Sequence, residues 1–532
     1  MCPTPRRKLS GRNRRCPMSE HKQTAPLRPY LAGALASYLL AYFYMREVVL
    51  YHWFTGWGML VFAVLFMLGV EWMARTLRRA AAPETPLWAA CWLALSVGIG
   101  AFGLQPVLAF WQILAWHLFA VWYVLARCGM LAQGYTGSLC FLDALAGLVV
   151  LPFGSFFNRA ATLAAGGRAL LRRRMKLRRA ATVALTALVT LALCAVAWQL
   201  LAAADAHFAA LGHRLTRWLT GWVDGVGALE LILTVVLSLP VGAWLFGLVA
   251  GSLRRSGPVF PADRFFAGLE PFRRLPAVTA NVAVGALCAV YTLFFALQAA
   301  EWLAASPLGL TAPQASDFAV DGFWELLRIL LLDFAVLAAV RFLGKKPLPR
   351  PLAALFCAYG LAFAALAGTK LAVYIRLYGY TPRRVAAGWF LCVLAVWAVL
   401  LLVRVFRVIP AARIGLAVLA VSFTLLACVN VKQHIVRANI ARYAAGQDAE
   451  LDMHVLWECG FKPWAEDRDE FLDYTADLVN AGWFEGRTRD EIEDLYEPET
   501  KSPGVMEADV DGHTRLLLTF DETGRCTGAD LT

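Results

Sequence analysis

The sequence predicts an all-α polytopic transmembrane helix bundle of about eleven spans with a small α+β soluble C-terminal domain. Three observations carry this reading. The chain is 59% hydrophobic, with 19 Trp and 32 Phe, and only 17% charged, which no ordinary water-soluble core would use. Uncharged runs at 107–126, 180–204 and 275–300 reach or exceed the roughly 20 residues a helix needs to cross a bilayer at about 1.5 Å per residue. The charge is also divided. Ahead of Gly446 there are about 43 Lys and Arg against about 15 Asp and Glu, and after it about 7 against about 23, so the net +12 describes neither part.

The elements follow in order. Residues 1–28 form a basic tail containing Arg6, Arg7, Lys8, Arg12, Arg14 and Arg15. It is expected to be cytoplasmic and uncleaved, because the following apolar run ends at Arg46 and Glu47 without a small-residue cleavage pattern. Met1 and Met18 are both acceptable starts. Residues 29–157 are expected to hold N-terminal membrane helices, with spans at 29–45, 52–73, 87–104 and 107–126. A further stretch at 139–157 is apolar but interrupted by Asp143 and Pro152, and it reads as either a crossing or a re-entrant segment. Residues 158–179 hold eight basic residues, from Arg159 to Arg179, and such a loop translocates poorly. Residues 180–431 are expected to complete the bundle, with spans at 180–201, 231–253, 275–300, 323–340, 352–369, 385–403 and 414–431. Residues 432–532 form the acidic soluble domain.

The basic residues set the orientation. If the N-terminus is inside and 139–157 does not cross, about 32 of them fall on the cytoplasmic side. The external loops then keep only Arg46, Arg214, Arg217, Arg376, Arg383 and Arg384. With an odd number of crossings, the acidic domain lies outside the cytoplasm. Basic residues at helix ends meet anionic lipid headgroups, which makes the bilayer the expected partner and argues against nucleic acid.

Charges within spans are costly in hydrocarbon and so mark candidate functional positions. Glu325, Arg328 and Asp333 share the span at 323–340, and Lys370 closes the next. Glu325 and Arg328 are three apart and could neutralise one another; alternatively they and Lys370 sit at headgroup depth and snorkel. Asp333 is deeper, so its partner is expected from another helix, either as a structural hydrogen bond or in a proton or ion relay. Gly98, Gly100 and Gly103 spell a dinucleotide fingerprint but lie inside a span with no preceding strand, and Gly247 and Gly251 are four apart on another; helix packing explains both. Gln112 and His117 read as interhelical hydrogen-bonding residues. No catalytic triad, Walker loop, zinc spacing or cofactor motif stands out, so the reading leans away from an enzyme and assigns no catalytic, metal or cofactor residue.

Four stretches are familiar as a set: AADAHF at 203–208, SDFAVDGFWEL at 316–326, YIRLYGYTPRR at 374–384 and NVKQHIVRANIARY at 430–443. Together they resemble the bacterial polytopic membrane proteins of the domain of unknown function 4153/4173 type. The resemblance runs from about residue 200 to 443, and the first third matches only in layout. Asn430-Val431 departs from the family's more frequent Asn-Pro, and Tyr380 replaces a usual Leu. The resemblance implies a multi-pass protein of the bacterial inner membrane and no known activity. In YGYTPRR, Gly379 suits a sharp turn, Thr381 a helix cap and Pro382 a first helical turn. The motifs suggest an external polar cap of Asp205, Asp317, Asp321, Arg376, Arg383, Arg384, Arg437 and Arg442. Its arginines would be offset by lipid phosphate, by Asp317, Asp321 or Glu325, or by the acidic tail.

The tail is too aromatic for disorder, with Trp457, Phe461, Trp464, Phe471, Tyr474, Trp483 and Phe484 available for a core. Thr488 and Glu491 form a capping box opening a short helix that ends at Pro498, and after a loop 515–520, 521–524 and 525 onward read as strand, turn and strand. This order is similar to small secreted bacterial modules of the SmpA and beta-lactamase-inhibitor type over about 45 residues. Outside the cytoplasm, Cys459 and Cys526 could pair or stay as thiols. Two functions remain: a non-enzymatic sensor, scaffold or assembly factor whose C-terminal domain binds a protein partner, or a small-solute or ion transporter using the bundle charges.

Overall fold

The computed structural model describes residues 27–174, 228–304 and 312–532, apart from 449, 460, 462–467, 497 and 503. Helix α1 (Leu27–Phe43) runs into a π-helical turn (Tyr44–Leu50) and is followed by α2 (Gly58–Thr76), α3 (Thr85–Phe102) and α4 (Ala109–Arg127). Next come α5 (Cys140–Leu145), a π turn (Ala146–Val150), α6 (Leu151–Gly154) and α7 (Asn158–Arg174). Then follow α8 (Ala228–Arg254), the short α9 (Ala262–Leu269), α10 (Ala277–Ala304), α11 (Ala312–Leu343) and α12 (Arg350–Tyr378). The helical part ends with α13 (Pro382–Phe406), α14 (Ala411–Ala427) and α15 (Val431–Ala444).

Among the described residues, seven helices are long and apolar enough to cross a bilayer, namely α2, α3, α4, α8, α10, α12 and α13, or up to nine if each of two bent pairs is one span. The bent pairs are α5–α6 with α7, at 41°, and α14 with α15, at 67°. The expected spans at 29–45, 323–340 and 414–431 are helical, within α1 and its π turn, within α11, and as α14 with the start of α15, whereas 180–201 lies outside the described residues. The protein is a multi-pass membrane protein.

The helices form two packed clusters. In the first, α1–α4, α8 and α14 enclose the fully buried Trp88, Trp92 and Trp116. Buried indole N–H groups need acceptors in an apolar interior. Trp116 Nε1 donates to Ser96 Oγ at 2.8 Å, and Trp88 Nε1 to Thr136 Oγ1 at 3.1 Å. In the second, α10–α13 surround Tyr291, Phe323, Phe356, Phe363 and Leu391. The glycine patterns are close-packing faces. A side chain at Gly98 would strike the backbone carbonyl of Ala427 on α14, and one at Gly247 would come within 2.6 Å of the Pro152 carbonyl.

Alternating helix directions give the bundle two distinct ends. At the arginine-rich end, Arg79 donates to the carbonyls of Leu253, at 2.8 Å, and Arg255, and Arg127 donates to the carbonyl of Arg79 at 2.9 Å. Arg254 reaches Thr162 there, Arg413 pairs with Glu84, and a bridge between Leu275 and Gly344 brings together the ends of α10 and α11. At the opposite end, Gln105 Nε2 donates to the carbonyl of Leu426 at 3.0 Å. The segment from Cys140 is seated near the arginine-rich end. Gly147 meets Val121 and Leu125, Trp244 Nε1 donates to the Leu148 carbonyl at 3.1 Å, and Asp143 accepts from the Ala132 amide at 2.7 Å. These partners lie on the halves of α4 and α8 that finish at Arg127 and Arg254, or in the loop just beyond α4.

The C-terminal module holds α16 (Met453–Glu458), α17 (Arg468–Asn480), α18 (Arg489–Glu493) and four antiparallel strands in sequence order: β1 (Pro498–Ser502), β2 (Val505–Asp509), β3 (Arg515–Phe520) and β4 (Cys526–Leu531). The capping box forms, with Glu491 accepting from the Thr488 amide at 3.0 Å. The stretch expected to be a loop before 515 is instead the hairpin β1–β2. Proline, glutamate and lysine disguise β1 as a turn, while β2 buries Met506 and Ala508 on one face against Leu516 and Leu518 of β3. Ile435, Val436 and Ile440 of α15 belong to the same core as Phe461, Phe471 and Trp483, so α15 is shared between bundle and module.

Candidate functional site

Two polar constellations stand out: one where the module joins the bundle, one buried among α10–α12. At the junction, Gly379 turns the chain at φ 71°, a left-handed conformation that favours glycine, and Thr381 caps α13 by accepting from the Arg384 amide at 3.3 Å. Asn439 of α15 reads this turn through its peptide. Its Oδ1 accepts from the Tyr380 amide and its Nδ2 donates to the Tyr380 carbonyl, each at 2.8 Å. The side chain is 7% exposed, so the two bonds are shielded from competing water.

The arginines of this region divide into three kinds. Arg384 donates to the carbonyls of Tyr378, at 2.6 Å, and Gly379, at 2.7 Å, and lies 4.2 Å above the Tyr374 ring. It closes the turn on itself, and among the described residues no carboxylate pairs with it. Arg442 holds Asp448 through both carboxylate oxygens, at 2.8 and 2.9 Å, and donates to the Arg376 carbonyl at 2.7 Å. Arg437 pairs with Asp473 at 2.8 Å and Asp477 at 3.6 Å on α17, so the acidic module supplies its counter-charge. The side chains of Arg376 and Arg383 are exposed and make no ion pair among the described residues. Asp205 lies outside the described residues; Asp317 and Asp321 lie on α11, with side chains outside them.

In the second constellation, Asp333 is 3% exposed and accepts from the Tyr291 hydroxyl of α10 at 2.8 Å. Its other oxygen, Oδ2, has no hydrogen-bond partner among the described residues and faces Gly360 of α12, where a β-carbon would stand 3.9 Å away. Beside it the hydroxyls of Thr292 and Tyr359 meet at 2.5 Å. The partner from another helix is therefore Tyr291, invisible in the sequence because it lies 42 positions away. Glu325 and Arg328 are both exposed and form no ion pair with each other, so of the two expected arrangements the mutual neutralisation is not seen. Lys370 lies against Gly322, one turn before Glu325 and far up α11 from Asp333. These four charges are thus not gathered at one point.

The other candidates resolve into structural contacts. His117 Nε2 and the Tyr44 hydroxyl share a hydrogen bond at 2.8 Å, and Gln112 accepts from the Gln105 amide at 2.7 Å. Cys459 and Cys526 are buried free thiols, and burial pushes the Cys459 thiol up to about 12. No group of three or more His, Cys, Asp and Glu suited to a metal occurs among the described residues.

Sequence reasoning missed Asn439, although it sits inside a quoted motif, and also Glu71, Glu84, Arg127 and Arg413. The last four carried a signal in their positions: each is a charge inside or just beside an apolar run. Neither a curated protein nor a solved structure is detectably similar to this chain. A family model does match, over residues 89–462, from α3 through α15 and α16 to the threshold of α17. By that match, which covers more than half its length, the chain belongs to the family described as domain of unknown function (DUF4153).

Proposed function

We propose that this is a non-enzymatic sensor, scaffold or assembly factor of the bacterial inner membrane, whose acidic module faces away from the cytoplasm and binds a protein partner. The observation that carries the reading is the junction. Asn439, Arg437 and the shared core on α15 fix the module on the bundle in a defined pose. A module held this way can pass a change in its own occupancy to α12 and α13. The orientation follows from charge. The module sits opposite the arginine-rich end, and basic helix ends stay in the cytoplasm. On this reading the segment from Cys140 to α7 enters and leaves by the arginine-rich end, as a re-entrant element.

Crosslinking in intact cells tests it, using Glu485, Asp490 and Glu522, all exposed on the module. Replacing the three with Lys should abolish the partner crosslink and the cellular phenotype while leaving the folded protein in the membrane. A second reading, solute or ion movement, is favoured by the buried Asp333 oxygen that has no partner among the described residues. Under that reading Asp333→Asn abolishes activity and the module substitutions are silent; under the first the outcomes reverse.

A further inference from the structure

A cleft of about 370 Å³ opens at the arginine-rich end, between the last turns of α2 and α4 and the start of α3. Its charged walls are Glu71, Arg75, Arg79 and Arg127, so three guanidiniums face one carboxylate. Glu71 is already occupied. It accepts from Arg127 Nε at 2.7 Å, Tyr123 Oη at 3.1 Å and Arg75 Nε at 3.2 Å.

The guanidiniums retain capacity. Arg127 is 6% exposed and uses Nη1 on the carbonyl of Arg79, leaving Nη2 without an acceptor among the described residues. Arg79 uses Nη2 on carbonyls at and just beyond the end of α8, and the two terminal nitrogens of Arg75 make no hydrogen bond among the described residues. The cleft therefore concentrates two uncompensated positive charges and several fork-shaped donors, an arrangement that suits a tetrahedral oxyanion.

We propose that this cleft binds the phosphate of an anionic lipid headgroup. The rest of its lining favours lipid over a soluble phosphate ester: Ala81, Ala82, Pro83 and Pro86 offer no side-chain donor or acceptor for a sugar or a base, and the hydroxyl proton of Thr85 is committed to the Ala82 carbonyl at 2.8 Å. Trp72, half-exposed within a turn of Arg75, is of the residue type that anchors helices at the membrane interface. Basic recesses at helix ends are a recurrent mode of headgroup recognition. The site stands apart from the module junction, so it does not depend on the partner-binding reading.

The test uses the full chain, purified in detergent and stripped of lipid, titrated with short-chain phosphatidylglycerol, phosphatidylcholine and inorganic phosphate. Phosphatidylglycerol should bind at least about tenfold more tightly than phosphatidylcholine, and Arg75→Gln should weaken it about five- to tenfold. Arg75 is highly exposed and its loss leaves the Glu71–Arg127 pair in place. Glu71→Gln keeps an acceptor for Arg127 but removes the competing negative charge, so it should tighten binding about threefold. Equal binding of the two lipids, or indifference to both substitutions, overturns the proposal. Inorganic phosphate binding as tightly as phosphatidylglycerol overturns the assignment to lipid.

Discussion

The two helical clusters are built from similar residues but are held together differently. In the first, α2, α3, α4 and α8 bury 39 to 50% of their apolar windows inside the protein; in the second, α10 and α13 bury 22% and α12 33%. Lipid chains are as apolar as leucine, so burial alone does not draw membrane helices together, and packing and polar contacts must do so. The first cluster has both. Gly98 and Gly247 bring backbones into contact, Ser96 and Thr136 satisfy buried indoles, and Glu71–Arg127 and Glu84–Arg413 tie the helix ends. In the second cluster, the polar contacts among the described residues include Tyr291 with Asp333, the Thr292–Tyr359 contact and Trp397 Nε1 on the Gly415 carbonyl. The first is the more deeply buried of the two, and the second adjoins the turn that Asn439 grips.

The sharpest way to break this comparison is a matched pair of glycine substitutions. Gly98→Val drives a side chain into the Ala427 backbone, which cannot yield without separating α3 from α14. It should cost about 3 kcal/mol or more, lowering the melting temperature or the yield of folded protein. Gly285→Val on α10 meets nothing within 4 Å and should be close to neutral. Equal costs for the two would show that the clusters are packed alike.

The junction comes next in size. Asn439→Leu removes both hydrogen bonds to the Tyr380 peptide and leaves a part-buried backbone pair facing an apolar side chain. A loss of about 2 kcal/mol is expected, with faster amide exchange at Tyr380 and new protease cleavage near the turn. Unchanged exchange at that amide would mean that the module rests on the bundle without gripping it. Smaller again is Tyr291→Phe, expected at about 1 kcal/mol because hydrogen bonds between membrane helices are individually modest. A cost well above the Asn439 effect would make the second cluster the more tightly specified of the two.

Much of this arrangement was legible in the sequence, for identifiable reasons. Span positions follow from hydropathy, and the Gly379-Tyr380-Thr381-Pro382 turn and the Thr488–Glu491 box follow from local backbone chemistry. What escaped was pairing at a distance. Nothing local says that Asp333 meets Tyr291, that Arg437 turns to Asp473, or that Arg384 satisfies itself on carbonyls while Arg376 and Arg383 stay exposed. Strand β1 escaped for another reason. Its residues show neither alternation nor β-branched character beyond Thr500, and it exists because β2 beside it has a buried face to extend.

Bundle and module should also separate in acid, which is the smallest effect. Asp511 accepts from the backbone amides of Thr514, at 2.5 Å, and His513, at 2.8 Å; Asp521 accepts from the amides of Arg525 and Thr523, both at 2.9 Å. These bonds favour the ionised carboxylates and hold both below the usual carboxylate range. A depressed folded-state value contributes stability that is present above the unfolded value, about 3.9, and is lost as pH falls through the folded one. The module's unfolding transition, followed by tryptophan fluorescence, should therefore be level from about pH 7 to 5 and decline below about pH 4. Asp511→Asn with Asp521→Asn keeps one acceptor oxygen on each turn but removes the titration, and should flatten that decline. A decline unchanged in the double variant would place the acid-sensitive groups elsewhere in the module. It would also leave the β2–β3 and β3–β4 turns stabilised by backbone geometry alone.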